Sequence, residues 1–234
     1  MVIDFNRILV GLGIVTYIFL CFSLNFHYLL LYTIFFLILF DLIYSKFSFK
    51  YILIIPIFLY LLINIDKFFL VDLFIFISFL IVVFLTLFKK FLHLLFIILI
   101  SFFIYFNYQI YLYDLNLIYQ IIILSFLNDT LAYIFGKTIK GPLIIPSISP
   151  KKTWSGTIIS LFFSSLFLFK LGYSLFLSVL LGVLFFLGDI FFSFIKRNLN
   201  IKDFSNLLSN HGGILDRLDS MFFVSSAYFM IFIL

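Results

Sequence analysis

Residues 68–88 read FFLVDLFIFISFLIVVFLTLF, a run of 21 residues in which Asp72 is the only charged side chain. The hydrocarbon core of a bilayer is about 30 Å thick, and a helix needs about 20 mostly apolar residues to cross it. This stretch is long enough and apolar enough for that purpose. It therefore predicts a transmembrane helix and sets the pattern for the rest of the chain.

The same pattern recurs on both sides of this stretch. Dividing the hydropathy at charged residues, Gly and Pro predicts nine helices, at 8–24, 28–45, 51–65, 68–88, 91–108, 116–135, 156–170, 174–195 and 217–234. The third is short and contains Pro56. We therefore expect an all-α polytopic membrane protein, a single membrane-embedded domain over 1–234, with N-terminal transmembrane helices in 1–115 and, in 116–234, the helices that carry the candidate functional residues described below.

The composition excludes a soluble domain as the main body of the protein. Hydrophobic residues make up 65% of the chain and charged residues only 11%, against about 25% charged in an average soluble domain. Cys21 is the single cysteine and lies in an apolar stretch. Neither a disulfide nor a thiolate metal site is therefore available within one chain.

The distribution of basic residues predicts the orientation in the membrane. Cytoplasmic loops accumulate Lys and Arg. If successive helices cross the membrane in alternate directions, 13 of the 15 Lys and Arg residues lie on the same side of the membrane as the N-terminus, and only Lys67 and Lys170 lie on the other side. This pattern predicts a multi-pass protein of the inner, cytoplasmic membrane with a cytoplasmic N-terminus. It also places the two long loops, 136–155 and 196–216, in the cytoplasm, where we expect the active site.

Carboxylates at the ends of predicted helices indicate a metal site. All ten acidic residues are Asp, and Asp129, Asp189, Asp216 and Asp219 are expected at similar depth near the cytoplasmic helix ends. Asp in a membrane helix requires a partner, a cavity or an ion. Asp216 and Asp219 are three residues apart and share a helical face. Carboxylates without Cys and with few His favour Mg²⁺ over zinc.

Basic residues accompany these carboxylates in the two predicted loops. They are Lys137, Lys140, Lys151, Lys152, Lys196, Arg197, Lys202 and Arg217. Carboxylates, a cation and many basic groups together are typical of a polyphosphate site. The alternative is that the acidic and basic side chains simply pair as salt bridges at helix ends.

Two glycines precede the predicted ninth helix. His211, Gly212 and Gly213 form a turn whose backbone could approach a phosphate closely, and a helix N-terminus offers N–H groups to an anion. Gly-Gly before a helix is also compatible with a simple turn.

The run from Ser193 to Asp219 reads S-F-I-K-R-x4-K-D-F-S-x3-S-N-H-G-G-I-L-D-R-L-D. It resembles the signature of the phosphatidate cytidylyltransferases, also called CDP-diacylglycerol synthases. Two upstream stretches also resemble motifs of that family: N-D-T-x-A-Y-x-x-G-K at 128–137 and S-P-K-K-T-W-x-G at 149–156, together with Gly188-Asp189. The resemblance covers about residues 125–220, whereas the first 110 residues match only in being hydrophobic.

The resemblance implies that the protein transfers CMP from CTP to phosphatidate in the bilayer, with Mg²⁺ as cofactor; a second cation is left open, and a homodimer is suggested. It assigns the metal to Asp189, Asp216 and Asp219. The remaining catalytic residues that it implies are Lys196, Arg197, Lys202, Asp203, His211 and Arg217. The substrate-binding residues that it implies are Asn128, Asp129, Ser149, Lys151, Lys152, Thr153, Ser193, Gly212 and Gly213.

The chain departs from the family pattern at two positions. Ser209 replaces the Pro or Gly that usually precedes the His-Gly-Gly turn, and Ser155 replaces the usual Glu after Trp154. These departures leave an inactive relative as an alternative.

Two other functions remain open at this stage. A transporter or channel would also use intramembrane Asp residues, but it predicts polar residues throughout the bilayer depth, whereas the charges here concentrate on one face. A CTP-dependent kinase acting on a lipid alcohol would need similar metal and basic groups, and would release CDP instead of pyrophosphate. The D-G-x2-A-R pattern of CDP-alcohol phosphotransferases is absent from the sequence.

Overall fold

A computed structural model describes residues 5–45, 47, 49–64, 69–88, 91–149, 152–207 and 212–234. These residues form helices connected by short turns and two longer connections, without a strand; Leu143 and Thr153 form an isolated antiparallel bridge. The helices are α1 (Phe5–Ser23), α2 (His27–Tyr44), α3 (Phe49–Ile52), α4 (Ile54–Asn64), α5 (Phe69–Thr86), α6 (Leu92–Tyr113), α7 (Leu115–Thr138), α8 (Trp154–Lys170), α9 (Leu175–Asn198), α10 (Leu215–Leu218) and α11 (Met221–Phe232).

Four of these helices, α2, α6, α7 and α9, are long and apolar enough to cross a membrane. Shorter apolar stretches lie at Ile54–Asn64, Leu70–Thr86, Trp154–Lys170 and Met221–Phe232. The fold is therefore that of an all-helical, multi-pass membrane protein, as the sequence predicts. The count of nine spans and the cytoplasmic N-terminus stay predictions.

The structure divides two of the predicted helices. The third, 51–65, is interrupted at Leu53 between α3 and α4, and residue 65 lies outside the described residues. Pro56 falls in the first turn of α4, where its missing N–H breaks no helical hydrogen bond. The ninth, 217–234, is interrupted at Asp219 and Ser220, although both keep right-handed helical dihedral angles. This second break changes the hydrogen bonding more than the direction of the chain.

Helix α6 forms the centre of the molecule. It packs against α4, α5, α7 and α11, and its Phe96 and Phe106 are fully buried. Helices α7, α8 and α9 pack in succession, and α11 closes the bundle against α9 and α6. A helix that is apolar on all sides is expected to be buried in this way.

The helices that carry the predicted loops extend further than expected. Helix α7 continues to Thr138 and α9 to Asn198, so the connections span 139–153 and 199–214. The predicted loop bounds, 136–155 and 196–216, were therefore too wide. Lys196 and Arg197 lie in the last turn of α9, where positive charge interacts favourably with the helix dipole.

Candidate functional site

Two glycines allow α8 to begin against α7. A Cβ on Gly156 would collide with the carbonyl oxygen of Ala132, and a Cβ on Gly136 would lie 2.8 Å from Thr153 Oγ1. Thr153 is the N-cap of α8, because its Oγ1 accepts a hydrogen bond from the backbone N–H of Gly156. This close approach places the preceding residue, Lys152, beside the C-terminal half of α9.

Lys152 contacts two predicted site residues on α9. Its ammonium group forms an ion pair with Asp189 Oδ1 and donates to Ser193 Oγ at 3.3 Å. Asp189 and Ser193 are four residues apart on α9 and therefore share one helical face. Lys152 thus attaches the end of the α7–α8 connection to α9.

Helix α9 also lies close to the junction between α10 and α11. A Cβ on Gly188 would lie 2.6 Å from the carbonyl oxygen of Asp219 and 2.8 Å from that of Ser220. Only glycine permits this approach without displacing the backbone. Gly188 therefore allows Asp189 to come near Asp219, and the negative charge of Asp189 acts on the Asp219 carboxylate.

Lys196, about two turns beyond Asp189 on α9, pairs with two carboxylates. Its Nζ lies 2.7 Å from Asp216 Oδ1 and 3.6 Å from Asp219 Oδ2. It also lies over the ring of Phe204, 5.7 Å from the ring centroid. All three charged side chains are largely buried, so solvent screens their interaction only weakly.

Asp216 organises the connection between α9 and α10. Its Oδ2 accepts hydrogen bonds from the backbone N–H of Phe204 at 2.9 Å and of Gly213 at 2.8 Å. Gly212 has a φ of +77°, and a Cβ there would lie 2.6 Å from the same oxygen. The glycine is therefore required both by the backbone conformation and by the space that the carboxylate occupies.

Asp129 on α7 completes the arrangement through Arg217. Asp129 Oδ2 lies 3.9 Å from Arg217 Nη1. Ser125, one turn earlier on α7, donates to the carbonyl oxygen of Arg217 at 3.0 Å and shares a 2.5 Å hydrogen bond with Ser220. These contacts hold α10 against α7.

The structure thus brings together four carboxylates and three basic side chains from α7, α9, the α7–α8 connection and the α10–α11 region. We call this group the acid–base cluster: Asp129, Asp189, Asp216, Asp219, Lys152, Lys196 and Arg217. In the structure these side chains pair with one another, which is the salt-bridge alternative noted above. A phosphate could replace a carboxylate as the partner of a basic side chain, and a metal cation could replace a basic side chain as the partner of a carboxylate, because each exchange preserves the sign of the charge.

One carboxylate of the cluster has an oxygen that is free to bind a metal ion. Within the described part of the chain, no three His, Cys, Asp or Glu side chains form a ready metal-binding group. Asp219 Oδ1, however, is buried and has no hydrogen-bond partner among the described residues. A buried carboxylate oxygen without a donor is costly, and a hard cation such as Mg²⁺ would satisfy it. Asp219 therefore fits a cation ligand.

Other predicted site residues lie around the cluster. Arg197 is exposed, and its Nε donates to the carbonyl oxygen of Ile148 at 3.0 Å, next to Ser149. Lys202 and Asp203 are exposed in the α9–α10 connection, and Asn128 is buried on α7. Lys151 and His211 lie outside the described residues, as does Ser209.

Ser155, the position where the family usually has Glu, takes part in a local hydrogen-bond network. Its hydroxyl donates to the carbonyl oxygen of Lys140, and it lies 3.1 Å from Thr153 Oγ1. The substitution therefore leaves the start of α8 capped and attached to the preceding connection.

One buried acidic residue near the cluster was not singled out from the sequence. Asp41, on α2, is fully buried and accepts hydrogen bonds from Ser205 Oγ at 2.6 Å and from the backbone N–H of Leu215 at 2.7 Å. Nearby, Ser45 donates to the carbonyl oxygen of Phe204 at 2.5 Å. An Asp in an otherwise apolar membrane helix is itself a signal, and it could have identified this position.

Residues 5–234 match the model of the cytidylyltransferase family. The chain belongs to the cytidylyltransferase family. Among curated cytidylyltransferases, it is 41% identical over 111 residues to the phosphatidate cytidylyltransferase of Aquifex aeolicus, covering 45% of this chain and 43% of that protein. It is 36% identical over 117 residues to the enzyme of that name from Rickettsia typhi, covering 43% of this chain and 51% of that protein.

A plant protein is similar over a stretch of comparable length. Phosphatidate cytidylyltransferase 4, chloroplastic, of Arabidopsis thaliana is 44% identical over 109 residues, covering 42% of this chain and 28% of that protein. The aligned part thus spans about half or less of the length of these curated relatives. Family membership is established for this cytidylyltransferase, while its substrates are a matter for proposal.

Proposed function

We propose that this protein is a phosphatidate cytidylyltransferase. A phosphate oxygen of phosphatidate attacks the α-phosphorus of CTP, the bond from that phosphorus to the β-phosphate oxygen breaks, and pyrophosphate leaves. CDP-diacylglycerol remains in the bilayer. The attacking oxygen is already anionic, so the reaction requires positioning and charge neutralisation more than a strong base.

The observation that carries the proposal is the acid–base cluster. Lys152, Lys196 and Arg217 meet carboxylates from three separate parts of the chain at one end of the helix bundle. A polyphosphate substrate needs basic groups for its oxygens and carboxylates for an accompanying cation. The names of the similar proteins support the same reaction.

Different basic residues would bind different phosphate groups of the nucleotide. Lys152 lies at the mouth of the cluster with about a quarter of its side chain exposed, and would exchange Asp189 for an incoming nucleotide phosphate. Lys196 is deeper and would stabilise charge near the reacting phosphorus. Arg197 and Lys202 are exposed nearby and would hold the departing pyrophosphate, with Arg217.

Asp219 and Asp189 are the cation ligands that the structure supports best. Asp219 has a buried oxygen without a donor, and Asp189 is held by one movable lysine. Asp216, the third proposed ligand, already accepts three donors and would act mainly by holding the α9–α10 connection. Bound Mg²⁺ would supply charge neutralisation on the phosphate oxygens.

The cluster would lie at the cytoplasmic face of the inner membrane, where CTP is present. The concentration of Lys and Arg in the connections at this end supports that orientation. Nine spans and a homodimer belong to the same hypothesis.

A purified-protein assay tests the proposed reaction. The protein in detergent micelles with phosphatidate, CTP and Mg²⁺ should release pyrophosphate and form CDP-diacylglycerol in equal amounts. A chelator should abolish both products, and ATP should not replace CTP. In a parallel assay with a lipid alcohol, such as diacylglycerol, in place of phosphatidate, release of CDP with phosphorylation of the lipid would instead identify a lipid kinase. No product with phosphatidate and any nucleotide would contradict the proposal.

A further inference from the structure

Asp41 belongs to the part of the chain that carries no recognisable motif, yet its side chain reaches the candidate site. Its two carboxylate oxygens accept hydrogen bonds from residues that are 164 and 174 positions away in the sequence, Ser205 and Leu215. The side chain is fully buried. A buried carboxylate is retained only where donors compensate for its lost hydration.

The donors to Asp41 lie on both arms of the α9–α10 connection. Ser205 directly follows Phe204, whose N–H binds Asp216, and Leu215 directly precedes Asp216 itself. Asp41 and Asp216 therefore hold neighbouring points of the same two arms. Displacement of Asp41 would move the backbone groups that orient Asp216.

The contact between Asp41 and the α9–α10 connection leaves no space for a side chain at Gly213. A Cβ on Gly213 would collide with the carboxylate of Asp41, and the N–H of the same residue donates to Asp216. The chain at Gly213 thus passes between the two carboxylates. A side chain at this position would push them apart.

We propose that Asp41 is a positioning residue for the reaction, acting through Ser205 and Leu215 to hold Asp216 and Lys196 in their reactive arrangement. Its effect on catalysis rests on the proposed function, whereas its effect on the α9–α10 connection does not. The hydrogen bonds of Asp41 reach none of the basic side chains to which we assign phosphate binding. Asp41 therefore acts on the site through the backbone of the α9–α10 connection and through its charge, which acts on Asp216.

Substitution at position 41 separates the hydrogen bonds from the charge. In Asp41→Asn the amide oxygen can still accept from Leu215 N–H, and the amide nitrogen can donate to the Ser205 hydroxyl, which rotates to accept. In Asp41→Leu both donors lose their acceptor. Ser205→Ala removes one hydroxyl only and serves if Asp41→Leu does not fold.

The first measurement is hydrogen–deuterium exchange in peptides covering 203–207 and 212–216. For Asp41→Leu we expect exchange there to increase on the order of tenfold, because Leu215 N–H loses its acceptor. Ser205→Ala should increase it by roughly threefold, and Asp41→Asn should stay near wild type. Unchanged exchange in both Asp41→Leu and Ser205→Ala would overturn the proposal.

Asp114→Leu is the matched control. Asp114 caps α7 through the N–H of Asn116, about 22 Å along that helix from Asp129 at 1.5 Å per residue. This variant should lower the thermal unfolding midpoint without changing exchange in 203–207 and 212–216. An equal increase in the control would show that Asp41 contributes general stability only, and would also overturn the proposal.

Kinetics provide the second measurement. We expect kcat of Asp41→Leu to fall about a hundredfold, because small displacements of reacting groups have effects of this size, while KM for CTP changes less than about threefold. If wild type makes no CDP-diacylglycerol, the proposed function fails and exchange alone decides the role of Asp41. If wild type is active and Asp41→Leu keeps both its exchange and its kcat, only the positioning role fails.

Discussion

Lys196 Nζ lies 2.7 Å from Asp216 Oδ1, and their side chains are only 10% and 5% exposed. The same ammonium group lies 3.6 Å from Asp219, whose other carboxylate oxygen has no donor among the described residues. One buried cation therefore compensates two buried carboxylates. The charges of Lys196, Asp216 and Asp219 therefore affect both the stability of this region and its affinity for a metal ion.

Replacement of Lys196 by Met should destabilise the protein. Removing one partner of a buried ion pair leaves an uncompensated charge and costs about 3–5 kcal/mol. Denaturant unfolding in detergent measures the difference. Lys202→Met, at an exposed position, is the control and should change the free energy of unfolding by less than about 0.5 kcal/mol. A Lys196→Met protein as stable as wild type would mean that the pair is not formed.

Asp216→Asn should abolish pyrophosphate release while the protein still inserts and purifies normally. The amide has only one acceptor oxygen and cannot accept from Lys196, Phe204 and Gly213 together, as the carboxylate does. The α9–α10 connection therefore loses part of the hydrogen bonding that holds it. Pyrophosphate release with CTP and phosphatidate measures the effect. Wild-type activity in this variant would remove Asp216 from the site.

Asp219→Asn should respond differently to Mg²⁺. An amide oxygen is still a ligand for hard cations, so we expect affinity for Mg²⁺ to fall by about 10–100-fold and high Mg²⁺ to restore part of the activity. A titration of activity against Mg²⁺ for both Asp→Asn variants checks this difference. If high Mg²⁺ restored both variants equally, or neither, Asp219 could not be distinguished as the cation ligand from Asp216 as the residue that holds the α9–α10 connection.

Lys152→Gln should weaken the binding of CTP. Loss of one charged hydrogen bond to phosphate costs about 1.5–3 kcal/mol, which corresponds to a rise in KM of about 10–100-fold. Lys170→Gln is a suitable control, because Lys170 is exposed at the other end of α8. The same KM in Lys152→Gln and wild type would exclude Lys152 from nucleotide binding.

Gly213→Ala should destabilise the protein, because the added methyl group collides with Asp41. Overpacking of this kind costs about 1–3 kcal/mol. Gly13→Ala provides the comparison, since a Cβ on Gly13 has no neighbour within 4 Å and alanine is the better helix former. Thermal unfolding should separate the two variants, with Gly13→Ala at or above wild type.

Reporter fusions test the orientation. A reporter after Leu234 should be active only outside the cytoplasm, and one inserted after Gly141, an exposed residue of the α7–α8 connection, only inside it. A cytoplasmic signal from the C-terminal fusion would mean that the number of spans is even.

Most helices could be predicted because lipid-facing sequence is apolar over whole turns, as in 68–88. The break at Asp219-Ser220 could not, because it depends on a neighbouring helix. Asp219 and Ser220 interrupt an otherwise continuous pattern where their carbonyl oxygens lie against Gly188 of α9. Hydropathy along one segment contains no information about such a contact.

The cluster residues were accessible to prediction because they fall in three motifs with recognisable spacing and in the pair Gly188-Asp189. Their pairing was not, since motif spacing does not show that Lys152 pairs with Asp189 and Lys196 with Asp216. Asp41 was missed for another reason. Its partners Ser205 and Leu215 are far away in the chain, and although an Asp in an apolar helix is a signal, no motif near Asp41 connects it with the cluster.

Phe204 lies parallel to Phe96 of α6, with ring centroids 5.2 Å apart, and its backbone N–H holds Asp216. The polar α9–α10 connection is therefore attached to the central, largely buried helix α6. Cutting the gene near codon 115, ahead of the recognisable motifs, would discard both Phe96 and Asp41 and should not leave a working fragment. Chimeras between relatives would have to exchange positions 41, 96 and 204 as one unit.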